Sequence, residues 1–157
     1  MAGGVLALDL ATRLGWAFGA PGRRAQCGVV HLVGREPGAV FAACVDAVAD
    51  LLDLHQPSRI VAEAPLPVQA QTHGRTAEHQ FGLHAVLLLL AYRRSLPASL
   101  VRADVARRSV LGRARFGGRS EAKEAVMAWC RGNGFDPADD NAADAMVLLH
   151  HALGAPP

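Results

Sequence analysis

Leu6-Ala7-Leu8-Asp9-Leu10-Ala11-Thr12-Arg13-Leu14-Gly15-Trp16-Ala17 is an apolar run interrupted by one acid, followed by a short polar break and a second apolar run. Val5 to Leu10 has the length and composition of a strand, and Asp9 is the residue out of place in it. Thr12 to Gly15 reads as a turn, and Trp16-Ala17-Phe18 as the next strand. Pro21-Gly22-Arg23-Arg24 makes a second turn, and Cys27 to Val33 a third strand. Three strands joined by such short turns are antiparallel neighbours, because parallel pairing needs a long crossover.

Beyond them the hydrophobic period changes. Val40, Phe41, Cys44, Val45, Val48, Leu51 and Leu52 recur at three- and four-residue steps, so residues 38 to 54 form an amphipathic helix that Pro57 ends. Arg59 to Ala64 is a strand, apolar apart from Glu63, and Pro65 and Pro67 stop it. Residues 68 to 76 read as a polar loop. A helix from about Thr76 to Arg94 and a strand at Leu100-Val101-Arg102 follow. Val105 to Leu111 predicts a short helix, and Gly112 to Gly118 an Arg- and Gly-rich loop. Ser120 is the expected N-cap of a helix to about Cys130, and Asn141 to Leu153 a final helix. This order describes one α/β domain over residues 1–157: a mixed five-stranded sheet, three strands antiparallel and two further strands, with helices on both faces.

Composition narrows the classes. Hydrophobic residues make up 51% and charged residues 19% of the 157, which excludes disorder and allows a substantial core. Cys27, Cys44 and Cys130 are an odd number without CxxC spacing, which argues against a disulfide framework or zinc knuckle. No apolar run approaches the roughly 20 residues that span a bilayer. The start lacks a signal-peptide pattern. A cytoplasmic protein with no membrane partner is expected.

Asp9, Glu63 and Asp144 each stand where the pattern asks for a core residue. A buried ionised carboxylate is costly unless it is paired or bound to a metal. Three such acids from three elements, if they converge, make an all-oxygen cluster suited to Mg²⁺ or Mn²⁺ rather than zinc. Asp140 and Asn141, four and three residues before Asp144, share its helix face. Asp140 is also a candidate N-cap, with Asp139 beside it.

Four segments together resemble the RuvC-type Holliday-junction resolvases, in particular their phage-type branch: Leu6 to Ala17, Ile60-Val61-Ala62-Glu63, Val105 to Gly112 followed by Lys123, and Asn141-Ala142-Ala143-Asp144-Ala145. The resemblance covers nearly the whole chain in order. It implies an RNase H-like fold, a homodimer, and metal-dependent cleavage of four-way or other branched DNA in recombination and repair, leaving 5′-phosphates. It places Asp9, Glu63 and Asp144 as metal ligands, with two ions in each active site. The family's fourth acid falls at Asn141 here, so either the amide of Asn141 or the carboxylate of Asp140 completes the set. Lys123 matches a basic residue near the family's site and is expected to stabilise the reacting phosphate.

The near-neutral net charge of +2 averages unlike segments. Residues 102–123 hold seven basic side chains and two acids, whereas residues 124–157 hold one base and five acids. Arg107, Arg108, Arg113, Arg115, Arg119 and Lys123 are therefore candidate phosphate contacts that read no sequence. Gln71, His73 and Arg75, in the loop after Glu63, are candidates for contacting DNA at the junction centre. Phe81 and the Leu-rich segment after it belong either to the core or to a dimer interface. The remaining histidines show no metal-triad spacing, and His150 and His151 are expected at the surface. Three readings follow: a metal-dependent junction endonuclease, a weak or silent junction binder that Asn141 keeps open, and a YqgF-type RNase H-like nuclease acting on RNA.

Overall fold

The computed structural model describes residues 3–67 and 74–154, with the side chains of residues 74–76 outside the description. Five strands run β1 Val5–Asp9, β2 Arg13–Gly19, β3 Gln26–His31, β4 Arg59–Glu63 and β5 Ala98–Val101. Five helices run α1 Pro37–His55, α2 Gly74–Arg93, α3 Ala103–Leu111, α4 Arg119–Gly132 and α5 Asp140–Leu153. The sheet order is β3-β2-β1-β4-β5. β1, β2 and β3 pair antiparallel, while β4 joins β1 and β5 in parallel. The mixed sheet expected from the sequence is the one observed.

Strand alternation divides the core in two. Leu6, Leu8, Leu14, Ile60 and Ala62 face α1 and α2. Val5, Ala7, Ala17 and Val61 face the side occupied by α3, α4 and α5. Asp9 continues the odd-numbered row of β1, and Glu63 that of β4, so pleat and register alone put both carboxylates on the α5 side. Both stand at the carboxyl ends of adjacent parallel strands, where open α/β sheets gather their ligand-binding groups.

α5 lies against that face almost wholly buried, with Ala142, Ala143, Ala145, Met146, Val147, Leu148 and Leu149 in the core. Its first turn approaches β2 so closely that a Cβ on Gly15 would collide with the backbone carbonyl of Asn141. Asp139 caps the helix by accepting the Ala142 N–H at 3.0 Å, and Arg13 Nε and Nη2 donate to the other carboxylate oxygen of Asp139 at 2.9 and 2.6 Å. The same cap also holds Asn141, whose Nδ2 donates to Asp139 at 3.4 Å.

Four local expectations are corrected. Thr12 to Gly15 is not all turn: β2 begins at Arg13, because Arg13 to Gly15 pair with Val29 to His31 of β3. Ser120 does not cap α4. That helix starts two residues earlier, with Gly118 at the cap position, and Ser120 Oγ donates forward to Glu124 at 3.3 Å. The cap of α5 is Asp139 rather than Asp140. His150 is not a surface residue: its ring meets Trp129 edge-on at 4.9 Å and lies 5.4 Å from Phe135, and burial lowers its pKa. His151 is half-buried too, with Nδ1 2.6 Å from Ser109 Oγ. Among the described residues, no helix is long and apolar enough to cross a membrane.

Candidate active site

A cavity of about 620 Å³ opens at the carboxyl end of β1 and β4. Asp9, Glu63, Asp140, Asn141 and Asp144 line its floor, and Arg107, Arg115, Arg119 and Lys123 its walls. The acids out of place in the sequence thus share one site, reached from two strands and one helix. Asp140 and Asp144 are one helical turn apart and project together from the first turns of α5.

Electrostatics record the crowding. Burial first, then the charges of Glu63, Asp144 and Asp140, push the Asp9 carboxyl well above the usual carboxylate range, with Arg107 opposing. Glu63 is pushed up to about 7, chiefly by burial and then by Asp144, against the pull of Arg107 and Arg119. Burial also raises Asp144, though Arg107 and Lys123 oppose it. These are the shifts expected where several carboxylates leave water together.

Two cations compensate part of this charge. Arg107 Nη2 donates to Asp144 Oδ1 at 3.1 Å, from a guanidinium that is itself mostly buried. Lys123 Nζ forms an ion pair with Asp140. The carboxylates of Asp9 and Glu63 have neither hydrogen bond nor ion pair among the described residues. Among those residues no three metal-capable side chains are drawn into a ready-made cage. The donor set nonetheless fits a hard divalent cation: every donor is oxygen, and among the described residues the two strand carboxylates, Asp9 and Glu63, lack partners. Asp140 presents a carboxylate to the cavity, whereas the amide nitrogen of Asn141 is turned to the Asp139 cap.

The basic segment divides. Arg107, Arg115, Arg119 and Lys123 reach the cavity. Arg113 instead pairs with Glu121 at 3.3 Å and stacks over Phe116, with its guanidinium carbon 4.3 Å from the ring centre. Arg102 makes a two-pronged contact with Asp104, and Arg108 is exposed outside the cavity wall. Gln71 and His73 lie outside the described residues, as does the side chain of Arg75.

Sequence reasoning missed two supporting groups. Arg13 fastens the α5 cap, and no signal in the sequence marked it, because it sits in a segment with turn-like chemistry. His84 on α2 is buried at 5% exposure, with Nδ1 2.7 Å from the Gln80 carbonyl oxygen and Nε2 2.6 Å from the Glu63 carbonyl oxygen. Its signal was a polar residue inside the Leu-rich stripe of α2.

No protein-family model matches the sequence, and no curated protein does. Solved structures do match. The Thermus thermophilus RuvC structure is similar over 96% of this chain and 93% of its own, with TM-score 0.72 and 17% identity. T. thermophilus RuvC in complex with Holliday junction substrate gives TM-score 0.75 at 17% identity, over 95% of this chain and 92% of that one. The yeast mitochondrial Holliday junction resolvase Ydc2 gives TM-score 0.64 at 14% identity, over 96% and 77%. The chain has a RuvC-like fold.

Proposed function

We propose that this RuvC-like fold carries a divalent-metal-dependent endonuclease that cuts four-way or other branched DNA by phosphodiester hydrolysis. The observation that carries the reading is the cavity in which Asp9, Glu63, Asp140 and Asp144 meet beneath a wall of Arg and Lys. The fold shared with RuvC bound to a Holliday junction supports the choice of substrate.

Asp9, Glu63 and Asp144, with Asp140 as the fourth carboxylate, would hold Mg²⁺ or Mn²⁺, in keeping with a two-ion site. Bound there, the ions supply an activated water and charge relief for the leaving oxygen. Arg115 and Arg119 attract and seat the phosphate backbone, and guanidinium groups do so with two oxygens at a time. Arg107 and Lys123, beside the acids in the cavity wall, would offset the negative charge that accumulates on a reacting phosphate. A second copy docked on α2 gives the paired sites that symmetric cutting needs. Phe81, Leu88 and Tyr92 are exposed along one face of that helix at seven- and four-residue steps, with Leu89 beside them, and form an apolar stripe.

A second reading, a junction binder that does not cut, is favoured by one observation: Asp140 and Asp144 are already paired with cations. One assay decides between them. A labelled four-way junction, a matched linear duplex and a structured RNA are each incubated with Mg²⁺, Mn²⁺ or EDTA. Symmetric, metal-dependent nicks in the junction are expected, with the Asp9→Asn variant binding but cutting at least about a hundredfold more slowly. Tight binding without nicks supports the silent binder, and cleavage of RNA alone supports the YqgF-type reading.

A further inference from the structure

α2 meets the end of β4 at His84. Glu63 is the last residue of β4, and its carbonyl lies beyond the final β1–β4 pair, Leu8 with Ala62. The neighbouring amide of Ala64 is taken by Val101 of β5 at 2.8 Å. The Glu63 carbonyl is therefore at the frayed end of the ladder, and His84 Nε2 faces it at 2.6 Å. The other ring nitrogen faces the Gln80 carbonyl, one turn back on α2, at 2.7 Å. His84 is almost fully buried, and its neighbours Leu83 and Leu87 anchor α2 in the core beneath the sheet.

We infer that His84 is a positioning residue for Glu63: its Nε2–H holds the Glu63 carbonyl, fixes the end of β4, and so aims the Glu63 carboxylate at the metal-binding cavity. A carbonyl oxygen can only accept, so the Glu63 contact requires the hydrogen on Nε2, and the Gln80 contact is a hydrogen bond as well only when Nδ1 also carries a hydrogen. A backbone pinned at the residue that carries the ligand leaves the side chain fewer ways to leave the site. The contact on Gln80 orients the ring within α2, and the contact on Glu63 transmits that orientation to the strand. Partners behind a ligand commonly change metal affinity or activity about 10- to 100-fold when removed. The inference rests on the nuclease reading above, because it gives Glu63 a ligand to hold.

Two conservative substitutions separate the two contacts. The amide nitrogen of Gln occupies the place of Nε2, so His84→Gln keeps a donor for Glu63 and gives up Gln80. The amide of Asn occupies the place of Nδ1, so His84→Asn keeps Gln80 and gives up Glu63. Mn²⁺ uptake without DNA is measured by titration calorimetry, and cutting of a four-way junction by kcat and KM. Melting curves and junction binding in EDTA accompany both. His84→Asn is expected to weaken Mn²⁺ uptake and lower kcat about 10- to 100-fold, with KM and junction binding unchanged. His84→Gln is expected to stay within about threefold of wild type in both. Equal losses in the two variants, tracking their melting temperatures, reduce His84 to a packing residue and overturn the inference, as do wild-type values in both. A wild-type chain that takes up Mn²⁺ but cuts no branched DNA removes the nuclease reading, while the Mn²⁺ midpoints still judge His84. A wild-type chain that takes up no Mn²⁺ overturns both.

Discussion

Arg107 contains the site's chemistry in miniature. Its guanidinium is largely withdrawn from water, one arm donates to Asp144, and its Nε has no partner among the described residues. A buried cation of this kind lowers the cost of keeping Asp144 ionised before any metal arrives. It is also a spare donor beside the place a phosphate would occupy. Arg107→Ala is therefore expected to slow junction cutting about a hundredfold while Mn²⁺ binds at equal or lower concentration, since a competitor for Asp144 has gone. Cutting at the wild-type rate would confine Arg107 to charge compensation. At this scale the sequence was legible for the acids and less so for the bases. Asp9 and Glu63 broke an apolar pattern, which is visible without coordinates. The segment 102–123 showed an excess of Arg, but the pairing of Arg102 with Asp104 and of Arg113 with Glu121 depends on loop geometry that no periodicity encodes.

The element that brings the site together is α5, and its position depends on β2. Gly15 leaves room for the Asn141 backbone, and Arg13 holds the capping Asp139 from the same face of the same strand. Arg13 and Gly15 share the α5 side because residues two apart on a strand point the same way. Gly15→Ala is expected to push the first turn of α5 outward and cost about 1–3 kcal/mol of stability. Junction cutting should fall by more than that loss of folded protein explains, because Asp140 and Asp144 move with the turn. A melting curve read beside single-turnover cutting checks both. Unchanged cutting in a destabilised variant would show that the first turn of α5 tolerates displacement. The strands were legible by composition and the helices by period, but the start of β2 was not. Thr12 to Gly15 has turn-like chemistry, and tertiary pairing with β3 overrode that local preference. Ser120 misled for a related reason: a good capping residue is also tolerated in the first turn of a helix when its hydroxyl finds a partner at Glu124.

For the molecule as a whole, the acid cluster ties stability to pH, and the proposed metal would ease that dependence. Asp9, Glu63 and Asp144 all hold their protons more tightly in the fold than in the unfolded chain. Stability from such groups is present below their unfolded pKa values and is lost as pH rises through the folded ones, about 7 for Glu63. In EDTA the melting temperature is expected to fall between about pH 5 and pH 8, by roughly 5 °C or more, and Mg²⁺ should restore most of it at the upper end. Asp9→Asn should flatten the profile and blunt the Mg²⁺ response. A melting temperature that rises over this interval in EDTA would contradict the placement of the acids. The association face has its own test. Leu89 is 50% exposed and Tyr92 84% exposed on α2. Leu89→Glu is expected to convert a dimer to a monomer in sedimentation and to lose paired cutting, with the fold unchanged by circular dichroism. A wild-type chain that sediments as a monomer at working concentration removes the dimer.

The alternation along β1, β2 and β4 that splits the core into two layers has a further consequence. One surface of the sheet carries the acid-lined cavity, through α5 and the ends of β1 and β4. The opposite surface carries α1 and α2, whose outward stripe is free to change with the company the protein keeps. Substitutions in that outer layer can alter assembly while the acids keep their spacing, so the two properties can be selected or engineered separately. His84 is where that independence stops, because a helix shifted by a new neighbour pulls on the strand that presents Glu63.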